Sequence, residues 1–194
     1  MTDDHECAII TVHGKFLGGQ AKINLWNPTV ETTLEISVSQ IWAFAGPGTS
    51  NFNSIEAGWE TDSYINSCTN LECEGFVQIS PDIALGCSFT EMSTFKGDQK
   101  DATFSIHKDP SSGNWWIEVQ GTPVGYHPIS LFTILSKTPA TMEFGGEIFN
   151  ERSKGRHTTA QMGSGHFSSE GGLGVSSYFH HVQVIDENNE VKNP

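Results

Sequence analysis

The chain has 194 residues with a formal net charge of −13, a length that suits one domain, residues 1–194, with a substantial core. Ten Lys+Arg cannot supply the basic footprint that nucleic-acid phosphates require, so a nucleic-acid partner is excluded. Charged residues at 17% are few for a helix-dominated surface, and together with 20 glycines they favour an all-β chain rich in turns.

The N-terminal Met-Thr-Asp-Asp-His-Glu-Cys is polar and acidic, and no basic and apolar tract follows it. It is read as no secretory signal, which leaves either a cytosolic protein or a presequence outside this chain, and residues 1–7 are expected to fray. A strand is expected over Ala8 to Val12. A second begins at Ala21, where Ala21, Ile23 and Leu25 alternate with Lys22, Asn24 and Trp26. Ile36, Val38, Trp42 and Phe44 then share a face that Gln40 interrupts. After the Gly46-Pro47-Gly48 turn, Ser54 to Trp59 sets Ile55, Ala57 and Trp59 against Ser54, Glu56 and Gly58.

Cys68 and Cys73 bracket Thr69-Asn70-Leu71-Glu72, a span short enough to turn back and close a disulfide. Cys7 and Cys87 read as small buried hydrophobes or as a second bridge. Further strands are expected over Gly75 to Ile79, Ala102 to His107, Trp115 to Val119, Thr141 to Phe149 and Ser177 to Ile185. One short helix is expected over Pro128 to Ser136, where Ile129, Phe132 and Leu135 recur after a proline start. Residues 186–194 look like a polar frayed tail. Many short strands at regular spacing predict an antiparallel β-sandwich or jelly roll. No apolar run reaches membrane-spanning length, so no membrane partner is expected.

Two glutamates carry the chemical signal. Glu56 and Glu147 both stand opposite the apolar face of their strand, each with a glycine two residues away on its own side, Gly58 and Gly145. The glycines are read as letting an extended polymer approach closely. Two carboxylates within one water of each other form an acid/base pair whose like charges split their pKa values. Gln40 and Gln161 are candidates for orienting water or substrate, or else are satisfied structural amides. Trp26, Trp42, Trp59, Trp115 and Trp116 invite a stacking role, with Trp59 taken as the substrate-binding candidate, although large aromatics more often fill a core. Glu31, Glu143 and Glu151 read as solubilising surface residues. His180 and His181 suggest a metal, but neighbours on a strand point apart and cannot share an ion, so neither a metal nor any other cofactor is expected.

In chain order the residues Ile23-Asn24-Leu25-Trp26-Asn27-Pro28, Ser39-Gln40-Ile41-Trp42, Ile55-Glu56-Ala57-Gly58-Trp59 and Cys68 to Gln78 resemble the catalytic domain of the neprosin family, plant-enriched glutamic peptidases that cut at proline. Ile83-Ala84-Leu85-Gly86, Lys108-Asp109-Pro110, Gly113-Asn114-Trp115-Trp116, Gly145-Gly146-Glu147 and Gln161 to Phe167 extend the match over nearly the whole length. The resemblance implies a sandwich with an open groove and a cofactor-free endopeptidase. Glu56 and Glu147 would activate the attacking water, and Cys68 and Cys73 would form the family's close disulfide. It also implies a proline-containing polypeptide as substrate, a monomer, and an extracellular or vacuolar location.

The resemblance leads one to expect a signal peptide and an activation domain N-terminal to the catalytic domain, and a longer tract where Trp59 runs directly into Glu60-Thr61-Asp62. That junction would open a sheet edge beside Glu56. It leaves a catalytically impaired binding module, or a truncated product, as one alternative. A jelly-roll glycoside hydrolase using two glutamates is the other.

Overall fold

A computed structural model describes residues 5–61, 70–72, 74–150 and 157–194. Ten strands follow in order: β1 His5–Asn24, β2 Glu35–Ala45, β3 Asn53–Glu60, β4 Val77–Gln78, β5 Asp101–Lys108, β6 Trp115–Val119, β7 Thr122–His127, β8 Ala140–Asn150, β9 Phe179–Asp186 and β10 Val191–Lys192. All pairings are antiparallel, in the path β3-β2-β8-β1-β5-β6-β7-β4, with β9 also on β1 and β10 on β9.

The two layers come from one long strand that changes partners. His5 to Val12 and Phe16 of β1 pair with β8, whereas Gly18 to Asn24 pair with β5. The separate strands expected at Ala8 and Ala21 are therefore one strand of 20 residues, with a register shift between Val12 and Phe16. The change of partner falls at Gly18, where a Cβ would stand 2.2 Å from the Ile106 carbonyl oxygen. Only a residue without a side chain lets β5 come this close.

The core lies between the layers. Ile41, Ala43 and Ala45 of β2 and Ile55, Ala57 and Trp59 of β3 meet Ala102, Phe104 and Ile106 of β5, Trp115 and Ile117 of β6, and Ala21 and Ile23 of β1. β2 and β3 both contact β5 across this interior. The chain is thus the expected all-β sandwich, formed by a curled antiparallel sheet. Trp115 is fully buried, and its neighbour Trp116 faces the other way against Tyr126 at 4.9 Å, as strand alternation requires.

The expected helix over Pro128 to Ser136 is absent; only a 3-10 turn at Ile129–Leu131 forms there. The next backbone groups bond outside the segment. The amides of Thr133 and Ile134 donate to Asn53 Oδ1 at 2.9 Å, and Lys108 Nζ donates to the carbonyls of Leu135 and Ser136 at 2.9 and 3.1 Å. These partners replace the i to i−4 bonds of a helix. The helical elements among the described residues are 3-10 turns, here and at Asn70–Glu72 and Ser168–Glu170.

Both expected frayed ends contribute strands. His5 to Cys7 pair with Phe149 to Glu147, and Val191 and Lys192 pair with Ile185 and Val184. β7 escapes the periodic pattern because Pro123 sits at a register shift, where the ladder does not need its missing N–H. β4 is shorter than Gly75 to Ile79, since the amides of Ile79 and Ser80 both turn to the Val124 carbonyl. Cys68 and Cys73 lie outside the described residues. Cys7 and Cys87 are free and exposed, neither buried nor bridged.

Candidate active site

The outer face of β1, β8, β2 and β3 carries the candidate site, and the ladders fix which side chains share it. Opposed residues of antiparallel neighbours project to the same side. One row across the face reads Cys7, Glu147, Val38, Glu60; the next, Ile9, Gly145, Gln40, Gly58; the third, Thr11, Glu143, Trp42, Glu56. Glu147 and Glu56 therefore stand diagonally on either side of the Gln40 row. The expectation that both face away from the core holds.

An open groove of about 440 Å³ lies over these rows, lined by His5, Trp42, Phe44, Phe52, Ser54, Glu56, Glu143 and Glu147. Glu56 is accessible from the groove but walled on its sides by protein. It accepts a 2.6 Å hydrogen bond from Gln40 Nε2 and a 3.0 Å bond from Ser54 Oγ. Desolvation pushes its pKa above the ordinary carboxylate value. Hydrogen bonds from Ser54, Gln40 and Trp42 oppose that push, and the charge of Glu147 adds to it.

On a flat sheet Glu143 would lie about 10 Å from Glu56 between Cα atoms and Glu147 about 16 Å, counting strand spacing and rise. All three carboxylates line the one groove, and the charge of Glu147 is a smaller influence on Glu56 than desolvation and the Ser54 and Gln40 hydrogen bonds. Thr11 Oγ1, donating at 2.7 Å, holds the Glu143 carboxylate toward β1. Glu147 is hydrogen-bonded by His5 Nδ1, whose ring packs on Phe149 at 4.6 Å. Next to Glu147, desolvation by the surrounding strands raises the pKa of the otherwise exposed Cys7 thiol, helped by the charges of Glu147 and Glu143. That keeps Cys7 a poor nucleophile.

Three expectations about this face change. Trp59 is not a groove residue: it packs in the core and its indole N–H donates to the Asn24 carbonyl at 3.0 Å. Gln161 is not among the groove-lining residues; its amide oxygen accepts from Thr29 N at 2.9 Å and its own N–H donates to Thr29 O. It pins the loop after β1 to the segment before the 3-10 turn at Ser168. The glycines do not leave open space either. A Cβ on Gly58 would meet Ser39 O at 2.1 Å, and one on Gly145 would meet Ala8 O at 2.1 Å. They serve close approach of strands rather than of a ligand.

Of the groove-lining residues, Trp42 is one of the tryptophans with an expected stacking role, whereas nothing in the sequence reading marks His5, Phe44, Phe52, Ser54 or Glu143 as groove residues. The signal for two of them was present: Trp42 and Phe44 share the face that Gln40 interrupts, and that apolar face is the groove wall, not the core. Among the described residues no three His, Cys, Asp or Glu side chains converge to hold a metal ion. No helix there is long and apolar enough to cross a membrane. β3 is the end strand of the sheet path and pairs with β2 alone among the described residues. Glu56 therefore stands on an edge.

The fold and face define an all-β sandwich with a carboxylate-bearing groove. The family model for Neprosin matches residues 59–194, more than half of the chain, and the chain belongs to the neprosin family. The match contains Glu147 and Gln161 and begins three residues after Glu56. Membership supports a peptidase-family function.

Proposed function

We propose that this chain is a glutamic endopeptidase that hydrolyses peptide bonds next to proline. The observation that carries the reading is that Glu56 and Glu147, from rows on either side of Gln40, both line one open groove. A water between them loses a proton to Glu147 as its oxygen attacks the scissile carbonyl. Glu56, whose raised pKa favours the protonated acid, then gives its proton to the leaving nitrogen. Gln40 Nε2, between the two carboxylates, is the nearest neutral donor for the oxyanion. No covalent acyl-enzyme is required.

Trp42, Phe44 and Phe52 favour proline as the neighbouring residue. Phe44 and Phe52 are tilted rings with centroids 6.2 Å apart beside Ser54, and Phe52 is half exposed. Such an aromatic wall suits a flat, apolar pyrrolidine ring. On this reading the substrate is a proline-containing polypeptide and the chain works as a monomer in an acidic extracellular or vacuolar compartment. The high negative charge fits such a compartment, where carboxylates are partly neutralised.

The test uses quenched peptides with and without proline across acid to neutral pH, with Glu56→Gln, Glu147→Gln and Glu143→Gln variants checked for folding by circular dichroism. Acid-favoured cleavage beside proline is expected, abolished by the first two changes and retained in the third. A folded wild type without turnover would overturn the enzyme reading and leave a binding module. Equal loss in Glu143→Gln would overturn the pairing.

A further inference from the structure

A regular strand would point His180 and His181 to opposite sides, but β9 is not regular here. Its register against β1 shifts between the Gln20/Gln183 and Lys22/His180 pairs. His181 takes a left-handed backbone with φ of 50°. A bulge of this kind breaks the alternation of side chains and re-aims one of them. The two rings come to lie edge to face, 4.7 Å apart between centroids, with the two Nδ1 atoms 2.9 Å apart.

The second nitrogen of His180 is engaged as well. Nε2 stands 3.3 Å from Asp101 Oδ2, and Tyr178 OH stands 3.5 Å from the same oxygen. Lys22 Nζ lies 3.7 Å from the other carboxylate oxygen, and the Tyr178 ring packs at 5.4 Å against His180. Asp101 accepts the Nε2–H of His180, which places that proton on Nε2 and turns the Nδ1 lone pair toward His181 Nδ1, whose proton a metal ion would have to displace. A carboxylate behind a histidine in this way fixes the tautomer and orients the ring in metal sites.

The spacing selects among ions. With metal–nitrogen bonds of about 2.05 Å, two imidazoles at roughly a right angle stand about 2.9 Å apart, and at a tetrahedral angle about 3.3 Å. The right angle belongs to tetragonal copper or nickel rather than to tetrahedral zinc. We propose that His180 and His181 form a two-histidine chelate for Cu²⁺ through both Nδ1 atoms, with Asp101 holding His180 from behind and water completing the coordination. His181 is exposed, so the ion enters without opening the fold. Neither histidine lines the groove, and the site stands or falls independently of the peptidase reading.

The same nitrogen separation also fits a plain N–H···N hydrogen bond, and Cu²⁺ titration separates the two. Calorimetry and electron paramagnetic resonance on the full chain at neutral pH are compared with His180→Gln, His181→Asn and Asp101→Asn. Asparagine is chosen at 181 because it tolerates a positive φ. The expected result is hyperfine structure from two imidazole nitrogens. The stoichiometry should fall by one ion in each histidine variant, and affinity should weaken about tenfold or more in Asp101→Asn. Protons should compete, so binding weakens toward acid pH. Unchanged stoichiometry and affinity in either folded histidine variant, or no wild-type binding at micromolar Cu²⁺, would overturn the site and leave the hydrogen bond.

Discussion

Replacing Gly58 by alanine separates two roles for the glycine beside Glu56. If the glycine only leaves room for a ligand, the added methyl weakens peptide binding and leaves stability alone. The structure requires the opposite. The new Cβ would stand 2.1 Å from Ser39 O and 2.5 Å from both Cα and Cβ of Gln40, and the first two of these are backbone atoms of β2. Relief demands that β3 move by roughly 1 Å, since carbon and oxygen rarely approach below about 3 Å. That shift stretches the ladder from Val38/Glu60 to Ala45/Asn53 and pulls Ile55, Ala57 and Trp59 from the core. Overpacking of this kind costs about 1–3 kcal/mol, and backbone obstacles put Gly58→Ala toward the upper end. The same movement breaks the 2.6 Å bond from Gln40 to Glu56, so turnover should drop more than tenfold. Urea denaturation measures the first effect and peptide cleavage the second. Gly172→Ala is the control: no heavy atom lies within 4 Å of its Cβ position, and its change should stay within about 0.5 kcal/mol. Wild-type stability of Gly58→Ala together with a raised KM would refute the reasoning.

Glu35 offers a second test. It is buried, and its carboxylate accepts from the amide of Glu31 at 2.6 Å, the amide of Thr32 at 3.3 Å, Thr158 Oγ1 at 2.5 Å and the Asn150 side-chain amide. Glu35→Ala strands these donors and should destabilise by roughly 2–4 kcal/mol in chemical denaturation; a loss under about 0.5 kcal/mol would contradict the network. A third test concerns Glu56, whose folded pKa lies above the reference of 4.5, so the native state holds its proton to higher pH than the unfolded chain does. Stability from this group is therefore greatest below the unfolded value and declines as pH rises through the folded one. Glu56→Gln removes that decline. The stability of the variant relative to wild type should increase between pH 3 and pH 7, and a difference that shrinks over this range would reverse the assigned sign.

Strand periodicity made most of the fold legible, because the core sets of β3, β5 and β6 are written as alternations, whereas in β2 the bulkier apolar face lines the groove and the smaller one fills the core. It failed where tertiary contacts decide. Nothing local in Phe132 to Ser136 announces that Asn53 and Lys108 will take its backbone groups. Nothing in Gly18 announces a strand that changes layers. Parity alone placed the two glutamates on the face away from the core, and the groove over that face was an implication of the family resemblance. Their partners were not legible: His5 reaches Glu147 only because an N-terminal segment pairs with β8, and Thr11 holds Glu143 through the same ladder. The histidine pair failed in the opposite way, since a bulge is invisible to any rule built on a period of two.

The placement of the two carboxylates follows from β2 rather than from any attraction between them. β2 lies between β3 and β8, and both of its ladders run without a register shift, so a single strand sets the position of Glu56 and of Glu147. Its inner face presents Ile41, Ala43 and Ala45 to the opposite layer, and its outer face presents Gln40, Trp42 and Phe44. A slip of one residue would drive the amide of Gln40 and two large rings into space now filled by alanines, and turn Ile41 out to solvent. Such an exchange combines overpacking with an unsatisfied buried amide, each worth about 1–3 kcal/mol. The core therefore rejects every odd register. Two like charges that repel each other are held on one groove by the small side chains on the far side of the strand between them.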